Sequence, residues 1–185
     1  MLKIAITGNI ASGKSQVEKI LSDMGYLVFD SDRIAHNILD TLDYFFDYDV
    51  FTNGKIDRKK LGTLVFANPK IKTKLEELTH PKIKAEILKL FEKYKNENYI
   101  FVSVPLLYEA GFDDIFDKVI LIMTDKDTQL KRLMERNNLS KAEANLRINA
   151  QQPQEEKSLK ADFTIINNSS ITDLENKIKE LVSNL

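Results

Sequence analysis

The eight residues Gly8-Asn9-Ile10-Ala11-Ser12-Gly13-Lys14-Ser15 constrain this chain more than any other stretch. They follow the apolar run "LKIAIT" at residues 2–7, which reads as a short strand buried on both faces. Beyond them Val17, Ile20, Leu21 and Met24 recur at helical spacing, and Gly25 supplies a stop. The pattern is G-x-x-x-x-G-K-[ST]. Its glycines let backbone N–H groups turn inward around phosphate oxygens at a helix N-terminus. Lys14 then reaches the outer phosphates, Ser15 offers its hydroxyl to Mg²⁺, and Gln16 continues the first turn. An accidental glycine turn would not come with a strand before it and a helix after it. "YLVFD" at residues 26–30 reads as a second strand, which completes a βαβ unit and favours a parallel sheet covered on both faces.

The remaining chain divides by pattern. Residues 32–98 are mostly helical in periodicity, with a turn signal at "TNGK". Asp57 is placed to cap a helix, Asn68-Pro69 to open another and Pro81 to start a third. That third helix would carry Ile83, Ile87, Leu90, Phe91 and Tyr94 on one face. The segment is too long for a plain crossover and too apolar for a linker, so it reads as an insertion. The aromatic run "YFFDYDVF" fits the insertion's core better than a base-stacking platform. The βα rhythm resumes with strands "YIFVSVPLL", "KVILIM" and "DFTIIN". Between the last two strands lie the helix "TQLKRLMERN" and a second helix with Ser140 and Glu143 in capping-box positions. Thr172 and Glu175 repeat the box before a final amphipathic helix. The expected fold is α/β: a doubly wound, parallel, five-stranded sheet with a core of residues 1–31 and 99–185. A helical lid spans about 136–155 and a helical insertion spans 32–98.

Composition narrows the classes. The chain has 185 residues, 43% of them hydrophobic, with 27 basic against 28 acidic side chains. That balance argues against a nucleic-acid-binding face. Without cysteine there is no disulfide framework, thiolate metal site or thiol catalysis. No apolar run approaches the ~20 residues of a membrane span, and no leader pattern precedes the first strand. The expectation is a soluble cytoplasmic protein with no membrane or nucleic-acid partner. No sustained heptad marks an interface between copies.

The candidate chemistry sits where such sheets bind ligands, at the carboxyl ends of their strands. Asp30 and Asp32 follow the second strand, and either carboxylate could accept a proton from an attacking hydroxyl, hold Mg²⁺ through water or cap the next helix. Arg132, Arg136 and Arg147 flank the turn "ERNNLSKAEANLR", where a helix–turn–helix flap could close over a γ-phosphate. His36 and His80 are too few and too far apart for a histidine metal site. Glu109 follows "SVPLLY" at another strand end, as a ligand contact or a cap. A guanine-reading Asn-Lys-x-Asp segment is missing, and the third core strand lacks a terminal acidic residue. Both absences point away from regulatory GTPases and translocating ATPases, toward a small-molecule kinase. A nucleotide-binding switch without catalysis is the reading from another class.

Taken together, these segments resemble the dephospho-coenzyme A kinase family. "GNIASGKS" matches its loop, "DSDRIAH" its D-A-D-x-[IV]-[AS]-[RH] segment, and "NGKIDRKKLGTLVFANP", "LEELTHPKI" and "VPLLYE" three further segments in order. "QLKRLMERNNLSKAEANLRINAQ" is similar to the family's lid and "ADFTIINN" to its closing strand. The resemblance implies ATP-dependent phosphorylation of the ribose 3′-hydroxyl of dephospho-coenzyme A, with Mg²⁺ accompanying ATP. It implies Asp32 as general base, Lys14 on the phosphates, and Arg136 and Arg147 as lid arginines. Asp30, His36, Arg58, His80 and Glu109 fall on the acceptor side. Asn9 and Ala11 stand where the family's loop usually has glycine. Asn tolerates positive φ better than most residues, which limits the strain expected at position 9.

Overall fold

The computed structural model describes residues 1–42 and 48–185; residues 44–47 of the aromatic run lie outside them. Cα packing divides the chain into one unit of Met1–Asp30 with Tyr94–Leu185 and a second of Ser31–Lys93.

The first unit is built on five parallel strands, β1 (Leu2–Thr7), β2 (Val28–Asp30), β5 (Tyr99–Ser103), β6 (Lys118–Met123) and β7 (Phe163–Ile166), in the order β2-β5-β1-β6-β7. Every pairing is parallel, so Thr7, Asp30, Ser103, Met123 and Ile166 all end on one edge. Strands buried on both faces need apolar residues at consecutive positions, and Ile4, Ala5 and Ile6 are all fully buried. On one face Ile4, Ile6, Phe101, Ile120, Ile122 and Ile165 meet helices α1 (Lys14–Asp23) and α8 (Ile171–Ser183). Those helices contribute Val17, Ile20 and Leu21, and Leu174, Ile178 and Val182. Each such side chain contributes roughly 1.5–3 kcal/mol on burial. Ala5, Ile100, Val102 and Leu121 are buried on the other face. Helices α5 (Lys126–Asn137) and α6 (Lys141–Asn149) pack on each other, and the short α7 (Gln154–Ser158) follows.

The second unit holds α2 (Ser31–Leu39), the two-stranded ribbon β3 (Phe51–Thr52) and β4 (Lys55–Ile56), α3 (Arg58–Ala67) and α4 (Pro69–Lys93). The ribbon turns through Asn53 at φ 52° and Gly54 at φ 74°, the geometry a two-residue hairpin demands. Its core is Val50, Ile56, Leu61 and Ile71, with Tyr48 and Phe51 packed against them. Asp57 caps α3 as expected, accepting the N–H groups of Lys59 and Lys60.

Four expectations are corrected. Pro81 lies inside α4 rather than at a helix start. The helix forgoes one hydrogen bond there, and the buried face of Ile71, Ile83, Ile87 and Phe91 outweighs that loss. Strand β5 stops at Ser103, because Val104 makes the last N–H bond, to the Ile6 carbonyl, and Pro105 has no N–H to give. Met24 is 37% exposed rather than on the buried stripe. The helix ends just before it, where the Tyr26 N–H reaches Leu21 and the Gly25 N–H reaches Ser22. Ser170 rather than Thr172 caps α8, its hydroxyl accepting the Asp173 N–H. Among the described residues no helix is long and apolar enough to cross a membrane.

Candidate active site

The loop between β1 and α1 reaches the carboxyl edge of the sheet with its backbone almost fully determined. A Cβ on Gly8 would lie 2.6 Å from both the Ile122 carbonyl and the Ser12 hydroxyl. One on Gly13, at φ 95°, would lie 2.0 Å from Asn167 Nδ2. Gly8 is therefore required by close approach alone, and Gly13 by close approach and by its left-handed backbone. Ser12 N–H closes the turn onto the Asn9 carbonyl at 3.0 Å. Gly13 is the N-cap of α1, so Lys14, Ser15 and Gln16 form the first helical turn. The Gln16 N–H reaches the Gly13 carbonyl at 2.9 Å, and a helix start of this kind offers its remaining N–H groups to an anion.

The expectation for position 9 is wrong in detail. Ala11, not Asn9, takes positive φ, at 62°. Asn9 is buried and serves through its side chain, Nδ2 donating to the Gln152 carbonyl at 3.0 Å.

A strap formed by residues 151–154 braces the loop. Gln151 Oε1 accepts the Ile10 N–H at 2.7 Å, and Gln154 exchanges two hydrogen bonds with the Thr124 backbone. From α5, Gln129 Nε2 donates to the Ile10 carbonyl. The strap is anchored by Glu109, which accepts the Gln152 N–H at 3.2 Å and pairs with Lys157 Nζ at 2.7 Å. Lys157 is wholly buried. On the loop's other side Asn167 Nδ2 donates to the Ser12 carbonyl, while the Asn167 carbonyl accepts Arg132 Nη1 at 2.9 Å. Tyr108, beside this region, has its phenol pushed up to about 12 by burial, then by Asp113 and Asp162.

Lys14 Nζ lies 2.9 Å from Glu18 Oε1 and 2.5 Å from Ser103 Oγ, and the Ser103 hydroxyl donates to the same Glu18 oxygen at 2.6 Å. Sequence reasoning missed both partners. The Lys14–Glu18 spacing of four residues was the available signal, since such pairs meet on one helix face. Ser103 ends β5, the strand whose sequence offers no terminal carboxylate. Lys157 gave no signal, because "QEEKS" reads as a solvated turn.

The other predicted residues lie as follows. Asp30 ends β2 opposite Ser103, and Asp32 lies in the first turn of α2 two residues later. His36 is in the last turn of α2 and His80 is in α4. Arg58 opens α3 with its guanidinium on Asp40 at 2.9 Å. Arg136 and Arg147 are exposed on α5 and α6, and Arg136 Nε donates to the Asn137 side chain. The second unit has a cleft of about 530 Å³ between α2 and α4, floored by Ile34, Ile38 and Leu90 with Lys82 and Lys89 on it.

Among the described residues no three His, Asp or Glu side chains could hold a metal by themselves. The donors beside Lys14 are the Ser15 and Ser103 hydroxyls and the Glu18 carboxylate. That oxygen set fits Mg²⁺ carried largely by phosphates and water.

A family model described as dephospho-CoA kinase matches residues 2–173. A dephospho-CoA kinase of Listeria monocytogenes is 37% identical over 178 residues, covering 91% of this chain and 89% of that protein. Among solved structures, the Campylobacter jejuni dephospho-CoA kinase is 38% identical with a TM-score of 0.75, covering 98% of this chain and 95% of that one. The Thermus thermophilus protein TT1252 is 33% identical with a TM-score of 0.86, covering 100% of this chain and 97% of that one.

Proposed function

The chain belongs to the dephospho-CoA kinase family, and on that premise we propose how its own residues divide the work of phosphoryl transfer. The family uses ATP to phosphorylate an alcohol of dephospho-CoA in the final step of coenzyme A synthesis. One observation carries the reading: a fully formed phosphate loop, residues 8–15, at the carboxyl end of β1 with Lys14 opening α1.

In this reading the backbone N–H groups of Ala11, Gly13, Lys14 and Ser15 hold the β-phosphate, and Lys14 spans the β- and γ-phosphates. Asp32 accepts the proton of the ribose 3′-hydroxyl as its oxygen bonds to the γ-phosphorus. The bond from that phosphorus to the β-bridging oxygen breaks, and ADP leaves. Arg136 and Arg147, carried by the α5–α6 lid, neutralise charge spread over the transferring oxygens. Because that transition state is loose, charge and alignment matter more than base strength. Ser15 would hold Mg²⁺ with the phosphates and water, and the ion would neutralise phosphate charge. Asp30, His36, Arg58 and His80 line the acceptor side. The cleft between α2 and α4 suits an acceptor that joins an apolar arm to phosphates, with Lys82 and Lys89 as cations. Glu109 acts on the nucleotide side, by anchoring the strap that holds Asn9 and Ile10.

The test is ADP release in the presence of dephospho-coenzyme A, nucleoside monophosphates or shikimate. ADP should appear with dephospho-coenzyme A alone. Turnover with another acceptor, or with none, overturns the assignment. Asp32→Asn should lower kcat by about 10²-fold or more with little change in acceptor KM, and an unchanged kcat removes Asp32 as the base.

A further inference from the structure

Lys14 is held by a carboxylate that a triphosphate must confront. Its ammonium meets Glu18 Oε1 at 2.9 Å and Ser103 Oγ at 2.5 Å, and the Ser103 hydroxyl donates to that same carboxylate oxygen. The Lys14 and Glu18 side chains are only 14% and 20% exposed. Ser103 ends the strand next to β1, and Ser103 and Ile6 are paired in the sheet. Glu18 therefore brings a negative charge, from helix α1, to the strand end where the sequence itself carries none.

We propose that Glu18 makes nucleotide binding conditional on a divalent cation, a positioning role that rests on the phosphate-loop reading above. Metal-free ATP must draw Lys14 away from Glu18 and leave that carboxylate poorly solvated beside the phosphates. A half-buried carboxylate deprived of its partner and set against like charge opposes binding. When Mg²⁺ arrives with the nucleotide, Glu18 and Ser103 have a cation to serve through its water, as hard oxygen donors do. The same carboxylate thus penalises the free nucleotide and favours the magnesium complex. A plain holder of Lys14 would oppose both forms equally.

The experiment is calorimetric titration of ATP, without acceptor, in EDTA and in Mg²⁺. The readout is the ratio of the two Kd values. Wild type should bind the magnesium complex far more tightly. Glu18→Gln should tighten metal-free binding and shrink the ratio about tenfold, equivalent to about 1.4 kcal/mol. Glu18→Ala should do the same, as a second variant with a different packing footprint. Adding Ser103→Asp to Glu18→Gln should restore the ratio, by placing a carboxylate where the Ser103 hydroxyl now meets Glu18. A ratio within twofold of wild type in both single variants overturns the inference, as does an equal gain with and without Mg²⁺. If wild type binds ATP under neither condition, the phosphate-loop reading fails, and this inference with it.

Discussion

At Ala11 a β-carbon occupies a left-handed backbone, φ 62°, inside a loop whose other constrained positions are glycines. The left-handed region costs an L-residue roughly 1–2 kcal/mol, part of which glycine returns through a freer unfolded chain. Ala11→Gly should therefore raise stability by roughly 0.5–1 kcal/mol in denaturant titration, with ATP KM little changed. A destabilised variant would mean that packing of the Ala11 methyl outweighs the strain. The loop was legible because its spacing encodes a geometry. Which of Asn9 and Ala11 bears the positive φ was not legible, since that depends on Gln152 capturing the Asn9 amide from 143 residues away. Lys157 is the opposite case, invisible in sequence and yet costly to disturb. Glu109→Ala would leave its ammonium wholly buried without a carboxylate, and such losses reach about 3 kcal/mol or more. Thermal melts should show Glu109→Ala well below wild type and the double variant Glu109→Ala, Lys157→Met partly recovered. Failure of the second change to recover stability would show that Glu109 does not serve Lys157.

Among the elements, helix ends followed local sequence closely. Asp57, Asp125 and the Ser140–Glu143 box all cap as their spacing allows. Each of these carboxyls lies below its ordinary range in the folded chain. The Lys60 backbone N–H is the largest cause for Asp57, the Thr128 backbone N–H for Asp125 and the Ser140 hydroxyl for Glu143. A carboxyl depressed on folding stabilises the fold above its unfolded pKa, about 4, and loses that contribution as pH falls through the folded value. Asp57→Asn keeps a cap acceptor and removes the titration. The gap in Tm between wild type and Asp57→Asn should therefore be open at pH 7 and close below about pH 4. A gap independent of pH would assign the cap's value to its hydrogen bonds alone. Pro81 shows where local rules failed. As a helix opener it fits every local rule, yet the buried stripe through Ile83, Ile87 and Phe91 continues the stripe begun at Ile71, and burial decided.

For the whole molecule, the five-stranded parallel sheet was readable because buried strands and their glycine punctuation repeat through residues 1–31 and 99–185. Strand order was not readable. Placing β5 between β1 and β2 is a consequence of long-range pairing, and it puts Ser103 beside Lys14. The chain packs as two units, and the function proposed above divides the labour between them, with ATP on the loop of one and the acceptor on residues 31–93 of the other. Arg58 tests that division. Its pair with Asp40 is about half exposed at both ends, and exposed pairs contribute only about 0–1 kcal/mol to stability. Arg58→Ala should leave Tm nearly unchanged while raising the KM for dephospho-coenzyme A about tenfold, and the KM for ATP should stay within twofold. Equal rises in both constants would place Arg58 in some step common to the two substrates, and no rise in either would return it to the solvated surface. The informative quantity is the ratio of the two KM changes, because a general loss of folded enzyme lowers kcat and leaves that ratio at one.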